Sequence, residues 1–244
     1  MLPAEERGDN MTDRDILMIA NSISETLYSR IINVNKNYYQ NSVLIPKGSD
    51  SFMLPSDAVY AETSLEFAQN KFTPEMAGRK GYLPSELKNC YPVYLQYNRS
   101  AYKLCPISKS SEDGASQITE RSGNKHFVAS VPTSWNTGDE ITISGPGGFR
   151  TDQIEDRDEL SVTLKSPANT GDYISLAGES PVIDLPETLV PVLIQKTIAQ
   201  CFFSLGDRDG AGFALNGVEQ DEQNALLNLK IQGGKLPVFR AEVW

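Results

Sequence analysis

A single histidine, His126, stands in 244 residues, and that scarcity already narrows the chemistry. A multi-histidine metal site is excluded, and neither Ser-His-Asp nor Cys-His catalysis has a choice of base. Cysteine is almost as sparse. Cys90, Cys105 and Cys201 are odd in number and widely spaced, which fits neither a disulfide framework nor a C-x-x-C pair and points to reduced thiols made in a cytoplasm. No apolar run approaches the roughly 18 residues of a membrane span. The start MLPAEERGDN lacks the basic and apolar regions of a signal peptide, so the expectation is a protein neither secreted nor membrane-embedded. Positive charge is also in deficit: 22 Lys and Arg against 32 Asp and Glu leave a net charge of −10. Tight binding to a phosphate backbone is disfavoured, because it relies on cationic side chains displacing counterions. An acidic wall does suit a conduit through which DNA slides without sticking.

What is present is the composition of a folded globular chain, with 39% hydrophobic and 22% charged residues. Thr12 and Asp13 offer N-cap oxygens, and Ile16, Ile19, Ile23, Leu27 and Ile31 recur at steps of three and four. This predicts an amphipathic helix over 13–32, with Asn21, Ser22, Glu25 and Arg30 facing away from the stripe. From Asn33 to about Asp184 helical periodicity gives way to short apolar or β-branched runs between turn residues. Strands are expected at 41–46 and 51–54, joined as a hairpin by Lys47-Gly48-Ser49-Asp50, and at 92–97, 101–106, 126–131, 140–144, 160–164 and 173–176. Asn136-Thr137-Gly138-Asp139 and Asn169-Thr170-Gly171-Asp172 each precede an apolar run. They read as a shared turn preference, with no repeat long enough for a solenoid.

Helix returns at Leu185-Pro186-Glu187, where Asp184 can cap and Pro186 fits the first turn. The following residues, among them Leu193, Ile194, Ile198 and Phe202, are apolar around too much of the circumference for one covered side, so this helix is expected to be central. Gly206-Asp207-Arg208-Asp209-Gly210 breaks it, and a second helical pattern through Phe213, Val218 and Leu229 ends near Gly233-Gly234. The tail beyond carries Leu236, Val238, Phe239, Val243 and Trp244. An extended apolar tail wants a partner surface. The expected fold class is therefore α+β: residues 1–36 and 184–244 form an α-helical core of N-terminal helix, helical hairpin and extended C-terminal arm. Residues 37–183 form a β-rich insertion.

Few residues invite a chemical role. His126 reads as an exposed strand-end histidine. Gly145-Pro146-Gly147-Gly148 lacks the G-K-[ST] of a phosphate loop and reads as a turn after a strand. Asp207, Asp209 and Gly212 fall at EF-hand positions one, three and six, but Ala211 and Val218 stand where positions five and twelve need oxygens. That stretch is an interhelical turn. Asp152, Glu155, Asp156, Asp158 and Glu159 form an acidic cluster, read as a solvated loop, the alternative being a site for a cation or a basic partner. Tyr91, Tyr94, Tyr97 and Tyr102 offer either packing or a sugar-binding platform. No catalytic, cofactor-binding or metal residue is assigned.

The order of elements resembles that of tailed-phage head-to-tail adaptor (connector) proteins. The resemblance rests on the amphipathic N-terminal helix, a middle introduced by Leu54-Pro55-Ser56-Asp57, and above all the closing block. That block comprises Leu185-Pro186-Glu187-Thr188-Leu189-Val190-Pro191, a long apolar helix, the break Leu205-Gly206-Asp207-Arg208-Asp209 and a polar helix with Glu219, Glu222 and Asn224. The resemblance implies a non-enzymatic virion protein of the phage neck or tail, made in the host cytoplasm, forming a homo-oligomeric ring of about twelve copies beneath the portal. It implies portal and tail or nozzle proteins as partners, DNA only in passage, no membrane and no cofactor. Leu236, Val238, Phe239, Val243 and Trp244 are then the contacts to portal or neighbouring subunit. The alternative is a β-rich binding module of a phage tail or baseplate, and a hydrolase using the acidic cluster and His126 is a third reading.

Overall fold

The computed structural model describes residues 11–108 and 113–232, leaving aside the side chains of 60–62, 231 and 232. The chain is mixed α and β, with a β-rich middle and a helical C-terminal region. By contacts it divides into two units, one drawn from residues 1–28 and 101–225, the other from 29–100 and 226–244. The six-stranded barrel thus shares a unit with the chain that follows it as far as Ala225.

Helix α1 (Asp13–Val34) belongs to the first unit up to Tyr28 and to the second from Ser29. Its start is a reciprocal cap: the Thr12 hydroxyl accepts the Asp15 amide at 3.3 Å, and the Asp15 carboxylate accepts the Thr12 amide at 2.8 Å and the Thr12 hydroxyl at 2.7 Å. These bonds hold the Asp15 carboxyl below its ordinary pKa. The isoleucine stripe is graded, with Leu27 and Ile31 fully buried, Ile19 and Ile23 half-buried and Ile16 exposed. Asn21 departs from expectation. It does not face away but grips the backbone of Leu104, donating from Nδ2 to the carbonyl at 3.0 Å and accepting the amide through Oδ1 at 2.6 Å.

In the second unit, β1 (Gln40–Ile45), β7 (Val93–Arg99), β3 (Ala58–Phe67) and β4 (Asn70–Phe72) form an antiparallel sheet in that order. A second sheet orders β2 (Ser51–Met53), β6 (Lys80–Tyr82) and β5 (Glu75–Ala77). The expected hairpin at Lys47–Asp50 is therefore corrected. β1 pairs with β7 and β2 with β6, so the turn hands the chain from one sheet to the other. The core of this unit gathers Ile45, Leu65, Leu87, Val93, Leu95 and Tyr97. Phe52 lies opposite Gly81, and a Cβ on Gly81 would overlap the Phe52 ring.

In the first unit β8 (Lys103–Leu104) pairs in parallel with β15 (Glu179–Ser180). The strands β9 (Ser116–Ser122), β10 (Lys125–Val128), β11 (Glu140–Gly145), β12 (Gly148–Arg157), β13 (Ser161–Leu164) and β14 (Tyr173–Leu176) close into a barrel in the order β10, β13, β12, β11, β14, β9. Closure leaves no free edge, and buried side chains fill the interior. Trp135, Ile118, Ile141, Ile154, Val162, Leu164 and Ile174 fill it. The two N-T-G-D turns are built into this barrel. Gly138 and Asp139 pair with Ile154 of β12, and Gly171 and Asp172 pair with Ile118 of β9. Both glycines have positive φ, +95° and +92°, which explains the residue choice.

The C-terminal region comprises α2 (Val190–Ser204), α3 (Arg208–Ala214) and α4 (Val218–Gln232). Three helices replace the expected two, because Gly217 at φ +79° separates α3 from α4 just as Gly206 at +78° ends α2. The entry also differs. A 3-10 turn (Glu187–Leu189) follows Pro186, α2 has Leu189 as its N-cap, and the first-turn proline is Pro191. Asp184 instead accepts the Tyr102 amide at 3.4 Å. Among the described residues no helix is long and apolar enough to cross a membrane.

Candidate interaction surface

Helix α2 supplies more apolar residues than the first unit covers. Leu189, Val192, Leu193 and Ala199 are buried on one side. The other side carries Ile194, Ile198, Cys201 and Leu205 at steps of four, three and four, one stripe of the helix surface. Of these Ile194 remains 49% exposed and Ile198 44%, while Cys201 is half-buried and Leu205 exposed. The expectation of a central helix is corrected: half of α2 is core and half faces solvent. Phe213 of α3 extends this surface at 85% exposure, and with Gln195, Ile198, Ala214 and Asn216 it lines a hollow of about 400 Å³.

Two further grooves adjoin the same helix. One of about 790 Å³ runs past Ile23, Gln200, Phe203, Phe213, Leu215 and Gln220. Another of about 680 Å³ lies along Met18, Ile19, Ile23, Gln200 and Ser204. Their mixed linings and open form suit a docked protein segment more than an enclosed small molecule. The surface is held in shape by two polar devices. Lys196 of α2 pairs with Glu222 of α4 at 2.5 Å, the carboxylate side chain being only 2% exposed. Asp207 caps α3 by accepting the Gly210 amide at 2.9 Å. The EF-hand-like run is thus an interhelical turn that opens a helix, as its missing oxygens imply.

The other sequence candidates are scattered. His126 is not at an exposed strand end: it is fully buried within β10, and its Nε2 accepts the Ala168 amide at 2.9 Å. Burial pushes its pKa below the ordinary 6.5, with the charges of Arg150 and Arg121 acting the same way. The alternation Lys125 out, His126 in, Phe127 out, Val128 in was the available signal.

The acidic cluster, expected as a solvated loop, lies mostly on β12. Asp152 is buried against Arg150 at 3.1 Å, and Asp158 accepts Lys125 at 2.8 Å, the Ser161 hydroxyl at 2.7 Å and the Leu160 amide at 3.0 Å. Its carboxyl is held far below the usual range by those bonds. Among the described residues no group of three or more His, Cys, Asp or Glu is placed to hold a metal. Tyr97 is buried in the second unit, and Tyr102 is buried in the first, stacked on Phe149 at 4.8 Å; Tyr94 is half-buried and Tyr91 exposed, with Lys47 at 6.0 Å. Four tyrosines do not make one platform. Cys105 is buried, its thiol pushed up to about 12 by desolvation and by Glu179.

Leu236, Val238, Phe239, Val243 and Trp244 lie outside the described residues. The surface centred on Ile194, Ile198 and Phe213 was missed as a site because periodicity marks α2 as apolar without saying which side is covered. Compared with known proteins, the chain matches no family model, no curated protein and no solved structure.

Proposed function

We propose that this chain is a non-enzymatic structural subunit of a tailed bacteriophage particle: a head-to-tail adaptor whose copies form a ring beneath the portal, joining capsid to tail around a DNA channel. The helices form its docking core, and the apolar C-terminal residues act as an arm toward portal or neighbouring subunit. The observation that carries this reading is the open stripe of α2. Ile194 and Ile198 lie one turn apart on α2 at 49% and 44% exposure, Phe213 of α3 is 85% exposed beside Ile198, and soluble monomers seldom leave clustered apolar side chains uncovered unless a partner takes them. The net charge of −10 suits a wall past which DNA moves without binding. The binding-module alternative is less favoured, since Tyr97 and Tyr102 are spent inside cores.

The test uses Ile194→Glu with Ile198→Glu in the full chain. Both side chains are substantially exposed, so the free protein keeps its stability to within about 0.5 kcal/mol per site. Electron microscopy of the variant mixed with the phage portal should show no adaptor ring where the parent shows one. Rings of normal occupancy from the variant would refute the docking face.

A further inference from the structure

We infer that the six-stranded barrel is a fused homodimer: residues 116–145 and 148–177 are two copies of one three-stranded unit, each clamping the other's N-T-G-D turn. The strand order carries the first argument. Exchange β9, β10 and β11 for β12, β13 and β14, and every neighbouring pair in the closed ladder maps onto another neighbouring pair. The register carries the second. Gln117-Ile118-Thr119-Glu120-Arg121 recurs 36 residues later as Gln153-Ile154-Glu155-Asp156-Arg157. In both copies the ladder skips the third residue of this run, so that Thr119 and Glu155 sit at equivalent bulges. His126 pairs with Val162, its own equivalent at the same offset. The Val128 amide bonds the Leu160 carbonyl at 3.1 Å, and the equivalent Leu164 amide bonds the Asn124 carbonyl at 3.0 Å.

The clamps are the third argument. Gln117 Nε2 donates to the Gly171 carbonyl at 3.2 Å, and Gln153 Nε2 donates to the Gly138 carbonyl at 2.6 Å. Ile118 bonds Gly171 and Asp172 at 2.8 Å each, and Ile154 bonds Gly138 at 2.8 Å and Asp139 at 3.0 Å. Arg121 reaches the Ala168 carbonyl at 3.2 Å, and Arg157 reaches that of Pro132 at 3.4 Å, in each case ahead of the clamped turn. Inside each turn the aspartate accepts the amide three residues before it, at 2.7 Å for Asp139 and 3.0 Å for Asp172. A shared liking for glycine turns explains none of the bulge, glutamine or arginine correspondences. Duplication of one unit explains all of them.

An interface in which each half contacts the other through the same residues is isologous, and such an interface joins two chains as readily as two halves of one chain. The partner it fits is a second copy of this chain exchanging barrel halves. What keeps the pairing within one chain is the two-residue link Pro146-Gly147 between the paired Gly145 and Gly148. This inference is independent of the adaptor assignment. Its test is deletion of Pro146 and Gly147 from the full chain. Light scattering should then give twice the mass it gives for the parent chain, with the amides of Ile118, Gly138, Ile154 and Gly171 still protected from hydrogen exchange. A folded monomer, or a dimer in which those amides are unprotected, overturns the inference. Should the deletion prevent folding, Gln117→Ala and Gln153→Ala in the intact chain decide. Each should speed exchange at the turn it clamps by the same factor, about fivefold for one hydrogen bond; an effect in one half alone overturns it.

Discussion

His126 and Gly81 show what single residues decide in this chain. With Nε2 accepting the Ala168 amide, His126 is neutral, and its pKa lies below 6.5 because burial opposes the charge. The unfolded chain therefore binds more protons than the native one as pH falls below about 6.5, so stability is full above that value and declines as pH drops toward the lowered native pKa. His126→Val removes that decline but leaves the Ala168 amide unpaired, at a cost of about 1–3 kcal/mol near neutrality. Melting curves of parent and variant between pH 5 and pH 8 should converge as the pH falls; parallel curves would contradict this. Gly81→Ala drives a methyl into the Phe52 ring and should cost about 1–3 kcal/mol in urea unfolding. The burial of His126 was legible from strand alternation, but its partner was not. Ala168 lies 42 residues away, and only the closed barrel brings them together.

Among the elements, those with strong local patterns were readable. The start of α1 at Asp13 behind its Thr12 cap, the residues of β14 and the end of α2 follow from capping, alternation and glycine. The strands β3, β9 and β12 were not foreseen: the polar Ser116 and Asp152 take buried positions in β9 and β12, bulges at Thr119 and Glu155 break their alternation, and the register of β3 shifts between Val59 and Ser64. The break between α3 and α4 was hidden in the same way, since Leu215 and Val218 keep helical spacing across Gly217. The Lys196 to Glu222 pair links α2 to α4. Lys196→Met removes one partner of a nearly buried carboxylate and should destabilise the first unit by about 1–3 kcal/mol, measured by chemical denaturation. Lys196→Met with Glu222→Leu should recover most of that loss, as an apolar pair replaces the charges; failure to recover would show that Glu222 matters for more than this pairing.

At the scale of the whole molecule, the sequence announced mixed α and β structure but not its principal symmetry. The two copies of the three-stranded unit share Gln, Ile and Arg at one end and Asn, Thr, Gly and Asp at the other, while the hairpins between them diverge. Only the ladder shows that these scattered identities belong together. The candidate surface was half legible: the apolar excess of α2 was visible, its exposed side was not. The adaptor reading asserts that this side is covered in the assembled particle. Hydroxyl-radical footprinting of Ile194, Ile198 and Phe213, on the free chain and on the chain bound to its portal, tests that directly. The account predicts strong labelling of all three in the free protein and loss of labelling in the complex; undiminished labelling in a fully formed complex would contradict it.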